Sequence, residues 1–128
     1  MLIGGEGTHL GQSLYLKEVF GLEQGPAPTV ELSQERKNGE YIRSLTEQNL
    51  ITACHDISDG GLLVALAEMA IASNIGAELE IKADAATLYG EDQARYVITT
   101  TQPDKIQGTI IGKTSGKTLK LEAHEVKV

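Results

Sequence analysis

The sequence has no tryptophan, a single phenylalanine (Phe20) and a single cysteine (Cys54) among its 128 residues. With aromatics at 4%, a core must be assembled from Leu, Ile, Val and Ala. One cysteine excludes an internal disulfide and any CxxC metal or redox site. Cys54 precedes His55, but neighbours in an extended segment point to opposite faces, so the two are not read as a nucleophile and its base. Cys54 is expected to be a small buried hydrophobe. Basic residues are also scarce, 11 Lys and Arg against 18 Asp and Glu, and the formal charge is −7. Without a basic cluster to displace counterions, no nucleic-acid partner is expected. The longest apolar run, Leu62 to Ala67, is far short of the roughly 20 residues of a membrane-spanning helix. No membrane association is expected, and since Met1-Leu2-Ile3 runs straight into Gly4-Gly5 with no secretory pattern, a cytoplasmic location follows.

What is present fits one globular domain, 41% hydrophobic and 23% charged. The opening MLIGGEGTHLGQSLYLKEVFG reads as a strand end, a glycine-rich loop and a helix from about Gln12 to Phe20 that Gly21 terminates. A chain that opens in mid-strand is expected to be cut from something longer. The connector LEQGPAPTV leads to a second helix over ELSQERKNGEYIRSLTEQNL, with Ser33 as its cap and Gly39 weakening it. ITAC is a short strand. The stretch from Gly61 to about Ser73 carries only one charge, Glu68, and reads as a helix buried on most of its circumference, stopped by Asn74 and Gly76. AELEIKA alternates as a half-buried strand, DAATLYG is a helical turn, and ARYVITT, GTIIGKT and TLKLE are three further strands. The fold class is α+β, with helices on a mostly antiparallel sheet.

Two glycine patterns imitate phosphate loops. Gly5-x-Gly7-x-x-x-Gly11 has one residue too many for a dinucleotide fingerprint and lacks the following parallel strand with its acidic residue. Gly108-Thr-Ile-Ile-Gly112-Lys113-Thr114 has the wrong spacing for a P-loop and is followed by a strand where a P-loop opens a helix. HDISDGG, residues 55–61, is better placed. Ser58 and Asp59 can cap the helix that follows. Gly60 and Gly61 allow close approach to N–H groups at the positive end of the helix dipole, where a phosphate is favoured. Asp56 and Asp59 oppose a bare anion but suit a ribose hydroxyl or a Mg²⁺-bridged phosphate. On chemistry alone the segment is either a helix cap or a ligand seat. His9 and His124 have no partner identifiable from spacing, and no catalytic constellation stands out.

At HDISDGGL and the apolar helix behind it, the chain resembles the C-terminal domain of the aminoimidazole ribonucleotide synthetase superfamily, and most nearly the large subunit of phosphoribosylformylglycinamidine synthases. LIGGEGTHLGQSLYLKEVFG, HDISDGGLLVALAEMA, YGEDQARYVITT and IGKTSGKTLKL agree in order over nearly the whole chain. The resemblance implies a three-layer α/β/α fold. It also implies a large ATP- and Mg²⁺-dependent enzyme of purine biosynthesis that converts formylglycinamide ribonucleotide to its amidine, with ammonia taken from glutamine and the amide oxygen activated as an iminophosphate. Residues 1–128 would be the last domain, the second of two copies in a longer polypeptide. Catalytic and metal-binding residues would lie in preceding domains. His55, Asp56, Ser58, Asp59, Gly60 and Gly61, with Gly11 and Ser13 of LGQS, align with a loop facing the partner ATP-binding domain. Their implied role is ligand contact or domain docking. A glutaminase subunit or domain would be the second partner. Between RYVITT and TIIGKT the family usually has a helix of about a dozen residues. This chain has only TQPDKIQG, which would leave a patch of sheet uncovered.

Two other readings compete. One is a stand-alone module that holds a phosphorylated small molecule or nucleotide at Ser58 to Gly61. The other, a relative of the selenophosphate or thiamine monophosphate kinases, is disfavoured by LGQSLYL and GEDQARY.

Overall fold

A computed structural model describes residues 1–122 and 124–127, with the backbone alone for Glu125. Alternation of apolar side chains builds two sheets. The first runs β1 (Leu2–Ile3), β4 (Tyr96–Thr99), β2 (Ala53–Asp56), with both pairings antiparallel. The second runs β5 (Gly112–Thr114), β3 (Ala77–Leu79), β6 (Thr118–Leu121), β7 (His124–Lys127), in which only β3 and β6 are parallel. The strands expected to share one sheet thus divide between two.

Successive residues of a strand face opposite sides, and this places the layers. Ile3 and Ile98 pack with Leu45 of α2 (Leu32–Glu47), while Leu2 and Val97 pack with Leu62, Ala65 and Leu66 of α3 (Gly61–Ser73). The first sheet therefore lies between two helices, the expected α/β/α order. On its far side α3 meets Leu79, Leu119 and Leu121 of the second sheet. This double covering explains why the α3 sequence is apolar on nearly every side, although Ile71 and Glu68 still face solvent.

Several local expectations change. Ser33 lies inside α2, whose first flanking residue is Glu31, without a side-chain cap. The Ala77–Leu79 ladder is shorter than AELEIKA, since Glu80 turns its N–H to Ile111 instead. GTIIGKT is not one strand. Thr109 exchanges two backbone hydrogen bonds with Leu2 of the first sheet, and the chain crosses to β3 of the second at Gly112. A Cβ on Gly112 would lie 2.2 Å from the Glu78 carbonyl, and its φ of +146° suits only glycine, so this crossing requires the residue present. Cys54 is exposed, a correction to its expected burial, because β2 is an edge strand of the first sheet. Partial burial, with the nearby Asp56 carboxylate, holds its thiol above the ordinary range, which disfavours the thiolate.

The connection after β4 contains one 3-10 turn, Pro103–Lys105, and then tucks Ile106 against Ile98 and Leu45. Nothing in it covers the α3 side of β4. An open groove of about 730 Å³ remains there, lined by Leu66, Ala70, Leu79, Val97 and Ile111 among others. No helix among the described residues is long and apolar enough to cross a membrane.

The layer order predicts where truncation hurts. Ile98, 0% exposed, is expected to lose roughly 2–5 kcal/mol on replacement by Ala. Ile71→Ala, at a site 70% exposed, should stay within about 0.5 kcal/mol. Urea unfolding of the two variants measures both.

Candidate functional site

The helix starts at Ser13 and Gly60 come from segments far apart in sequence, and a third segment, Gly90-Glu91-Asp92, holds them together. Ser13 is the N-cap of α1 (Leu14–Phe20), and its hydroxyl accepts from the Leu16 N–H at 3.3 Å while donating to the Leu10 carbonyl. Gly11 sits against the 22–28 connector, where a Cβ would meet the Pro26 carbonyl at 2.3 Å. Gln12 clamps the same connector through its backbone N–H to Gln24 and its side-chain amide to Gly25. His9, for which spacing identifies no partner, bonds through Nε2 to the Pro26 carbonyl at 2.6 Å.

The start of α3 is not capped by Ser58 or Asp59. The N-cap is Gly60 in the left-handed region (φ +79°), it has no side chain to cap the helix, and Ser58 contributes only its carbonyl, to the Gly61 N–H. This corrects the capping expectation. The reason is that the chain must turn tightly beneath α4 (Ala85–Tyr89). A Cβ on Gly61 would lie 2.6 Å from the backbone of Tyr89. Ser58 and Asp59 are left exposed.

An anion does occupy this helix start, and it is internal. One oxygen of Glu91, Oε1, accepts from the Gly60 N–H at 2.8 Å and from the Leu14 N–H at 2.7 Å. The carboxylate thus satisfies N–H groups at the positive ends of two helices, which ordinary capping would leave to Ser or Asp side chains. Its neighbour Asp92 accepts from the Thr8 N–H (2.8 Å), the Thr8 hydroxyl (2.7 Å) and the His9 N–H (3.1 Å), fixing the glycine-rich loop. Partial burial pushes the Asp92 carboxyl up, but the Thr8 and His9 donors and the Arg95 charge outweigh this and hold it below the ordinary carboxylate range.

Beneath these carboxylates Arg95 is 2% exposed. Its guanidinium donates to the carbonyls of Asp92 and Gly90, and Nη1 makes no hydrogen bond. Burial lowers the affinity of this side chain for its proton, and Asp92 opposes that. Gly7 closes over it, since a Cβ there would lie 3.2 Å from Nη1 and 2.3 Å from the Ala86 carbonyl.

The eight residues singled out by sequence do not converge on one place. Ser13, Gly60 and Gly61 lie at the helix starts around Glu91, with Ser58 and Asp59 exposed just before Gly60, while Gly11 packs instead against Pro26 and His9. His55 and Asp56 do not join them, because β2 runs two residues beyond ITAC and includes both. His55 pairs across the ladder with Val97 and so faces α3, where Nε2 lies 3.2 Å from Glu68; its Nδ1 bonds the Asp56 carbonyl at 2.6 Å. Asp56 points the other way, exposed. Glu91 and Asp92 were not singled out, although GEDQARY is one of the matching segments. Their signal was two adjacent acids after a glycine, just before a buried strand.

Chemically the constellation is a closed structural knot. Of the amides at the α3 start, the Gly60 N–H is taken by Glu91 and the Gly61 N–H by the Ser58 carbonyl, and no group of three or more His, Cys, Asp or Glu among the described residues is arranged to hold a metal ion. An incoming anion at Gly60 would have to displace the Glu91 carboxylate from that N–H.

The family model for the AIR synthase related protein C-terminal domain matches residues 1–115. The chain belongs to this family. A phosphoribosylformylglycinamidine synthase subunit PurL from Novosphingobium aromaticivorans is 54% identical over 116 residues, covering 90% of this chain and 16% of the relative. The PurL of Granulibacter bethesdensis is 48% identical over 130 residues, covering 94% of this chain and 18% of the relative. The chain therefore spans less than a fifth of the curated relatives it matches. Among solved structures, Thermotoga maritima PurL complexed with ATP superposes with a TM-score of 0.71 at 17% identity, over 98% of this chain and 24% of that one. The Thermotoga maritima PurLQS structure gives 0.66 at 18% identity, over 95% and 24%. At such identities the likeness establishes the fold.

Two outcomes test the knot. Glu91→Ala leaves two N–H groups without their acceptor and is expected to cost roughly 1–3 kcal/mol in urea unfolding, whereas Glu91→Gln, which keeps an accepting oxygen, recovers most of it. Asp92 has a folded-state value below its unfolded one, so its contribution is complete above about pH 4 and fades as pH falls through the folded value. The stability gap between the native chain and Asp92→Asn should close on acidification over that window, as read by thermal midpoints.

Proposed function

We propose that this sequence is the last domain of a longer phosphoribosylformylglycinamidine synthase, the second of two such copies, and that it acts by structure and docking, without a catalytic residue of its own. The observation that carries this reading is the pairing of 54% identity over 90% of the chain with coverage of only 16% of the relative. In this reading the whole enzyme joins ammonia, delivered from glutamine by a glutaminase partner, to formylglycinamide ribonucleotide at the expense of ATP. ATP and Mg²⁺ are bound by other domains of the polypeptide, which agrees with helix-start amides already filled by Glu91. Gly11, Ser13, Ser58, Asp59, Gly60 and Gly61 belong to the face turned toward the preceding ATP-binding domain, and His55 and Asp56 to the neighbouring strand. The Thermotoga maritima structures with FGAR, with ATP and as PurLQS are consistent with this substrate, nucleotide and assembly. The stand-alone phosphate module is the less favoured reading, since the Gly60 N–H at its seat already bonds the Glu91 carboxylate.

The test is the mass of the native polypeptide in source-cell extract, by immunoblot against this domain. A band several-fold heavier than 13.7 kDa is the expected result. A single band at 13.7 kDa would overturn the proposal.

A further inference from the structure

We propose that the exposed apolar C-terminal end of α1, formed by Val19 and Phe20 with Leu22 just beyond, is an interdomain contact that docks on an apolar, basic-rimmed surface of a neighbouring domain of the same synthase polypeptide. This rests on the reading above that such a polypeptide exists, and it adds the surface and the chemistry of its partner.

Five of the seven residues in LYLKEVF are apolar or aromatic, yet the helix has no buried residue. From Leu14 to Lys37 no residue is buried at all. Ten large apolar side chains are exposed among the described residues, and six of them, Leu14, Val19, Phe20, Leu22, Val30 and Leu32, fall within this one stretch. Scattered exposed apolar residues need no explanation, but a concentration of this kind marks a contact surface.

The segment is nevertheless held in a defined shape. A seven-residue helix does not sustain itself in water. Here it is fixed at one end by Ser13 and Glu91 and at the other by Gly21, a left-handed cap whose N–H reaches Lys17. Tyr15 stacks on Tyr89 with ring centroids 4.6 Å apart and meets Phe20 edge-on at 5.6 Å. Polar ties and one aromatic stack thus pre-organise an apolar face that the domain does not itself cover, and a preformed face docks at little entropic cost.

Size selects the kind of partner. Seven residues of helix are about 10 Å long and 10–12 Å across, so the face is on the order of 100–200 Å². A stable complex between free molecules buries about 800 Å² on each side. A second copy of this chain, or a diffusing protein, would be held poorly by so small a patch. A domain on the same polypeptide meets it at an effective concentration near the millimolar range, where a small apolar contact suffices. More than four-fifths of each curated relative lies outside the stretch shared with this chain, so neighbours of that kind are available. The rim sets the charge of the partner, with Glu18 and Glu23 standing against Lys17, which is itself drawn to Glu23 at 3.1 Å.

The test places photo-reactive p-benzoylphenylalanine at position 20 of the native polypeptide and maps the cross-linked peptides by mass spectrometry. The position is exposed, so the substitution leaves the domain core untouched. The expected result is a link to a peptide from another domain of the same chain, with no change in mass on a denaturing gel, and its loss by several-fold when Val19 is replaced by Asp. A product of doubled mass, a link to a separate protein, or no link in a polypeptide of full synthase length would overturn the docking surface while leaving the synthase reading intact. A native polypeptide of only 13.7 kDa would instead remove the reading on which the surface rests.

Discussion

The arrangement of this domain depends on two adjacent carboxylates. Glu91 and Asp92 accept five hydrogen bonds from a loop and two helix starts that lie about 30 to 84 residues away in sequence. Without them the glycine-rich loop, α1 and α3 would each have unsatisfied N–H groups and no reason to lie beside one another. Arg95 below supplies the positive charge that makes two acidic neighbours tolerable, and its own donors are spent on the carbonyls of the same turn. The glycines around the knot follow from this crowding. Gly7 and Gly61 each lie where a Cβ would collide with backbone.

This also explains why a stretch with the look of a phosphate seat need not be one. A helix start rich in Gly, Ser and Asp is attractive to any anion, and the sequence does not say whether that anion comes from solvent or from the chain itself. In this domain it comes from the chain. Family membership does not by itself assign chemistry to this domain, because a fold can keep a motif as architecture while the chemistry is carried elsewhere.

Much of the fold was legible beforehand. The apolar run after Gly61, the alternation around Leu79 and the Asn74 stop all gave their elements, since each is a local signal that tertiary structure reinforces. What was missed depends on distance. Cys54 was read as buried because cysteines usually are, and only the position of β2 at an edge exposes it. His55 and Asp56 were grouped with Ser58 and Asp59 by sequence proximity, but a strand sends neighbours to opposite faces. Glu91 escaped notice because its importance lies in bonds to residues 14 and 60, and no local pattern reports a contact of that span. The division into two sheets was equally hidden, resting as it does on a single glycine crossing.

The pairing of β1 also dictates when this domain can assemble. Leu2 and Ile3 are bracketed by Tyr96 and Val97 on one side and by Thr109 on the other. Within this domain β1 must therefore wait, unpaired and apolar, for more than ninety further residues. At about 5–20 residues per second that interval lasts roughly 5–20 s, long on the scale of hairpin formation in microseconds. Helices α2 and α3 are made during that wait, so β1 can join the first sheet only after the helices that flank it exist.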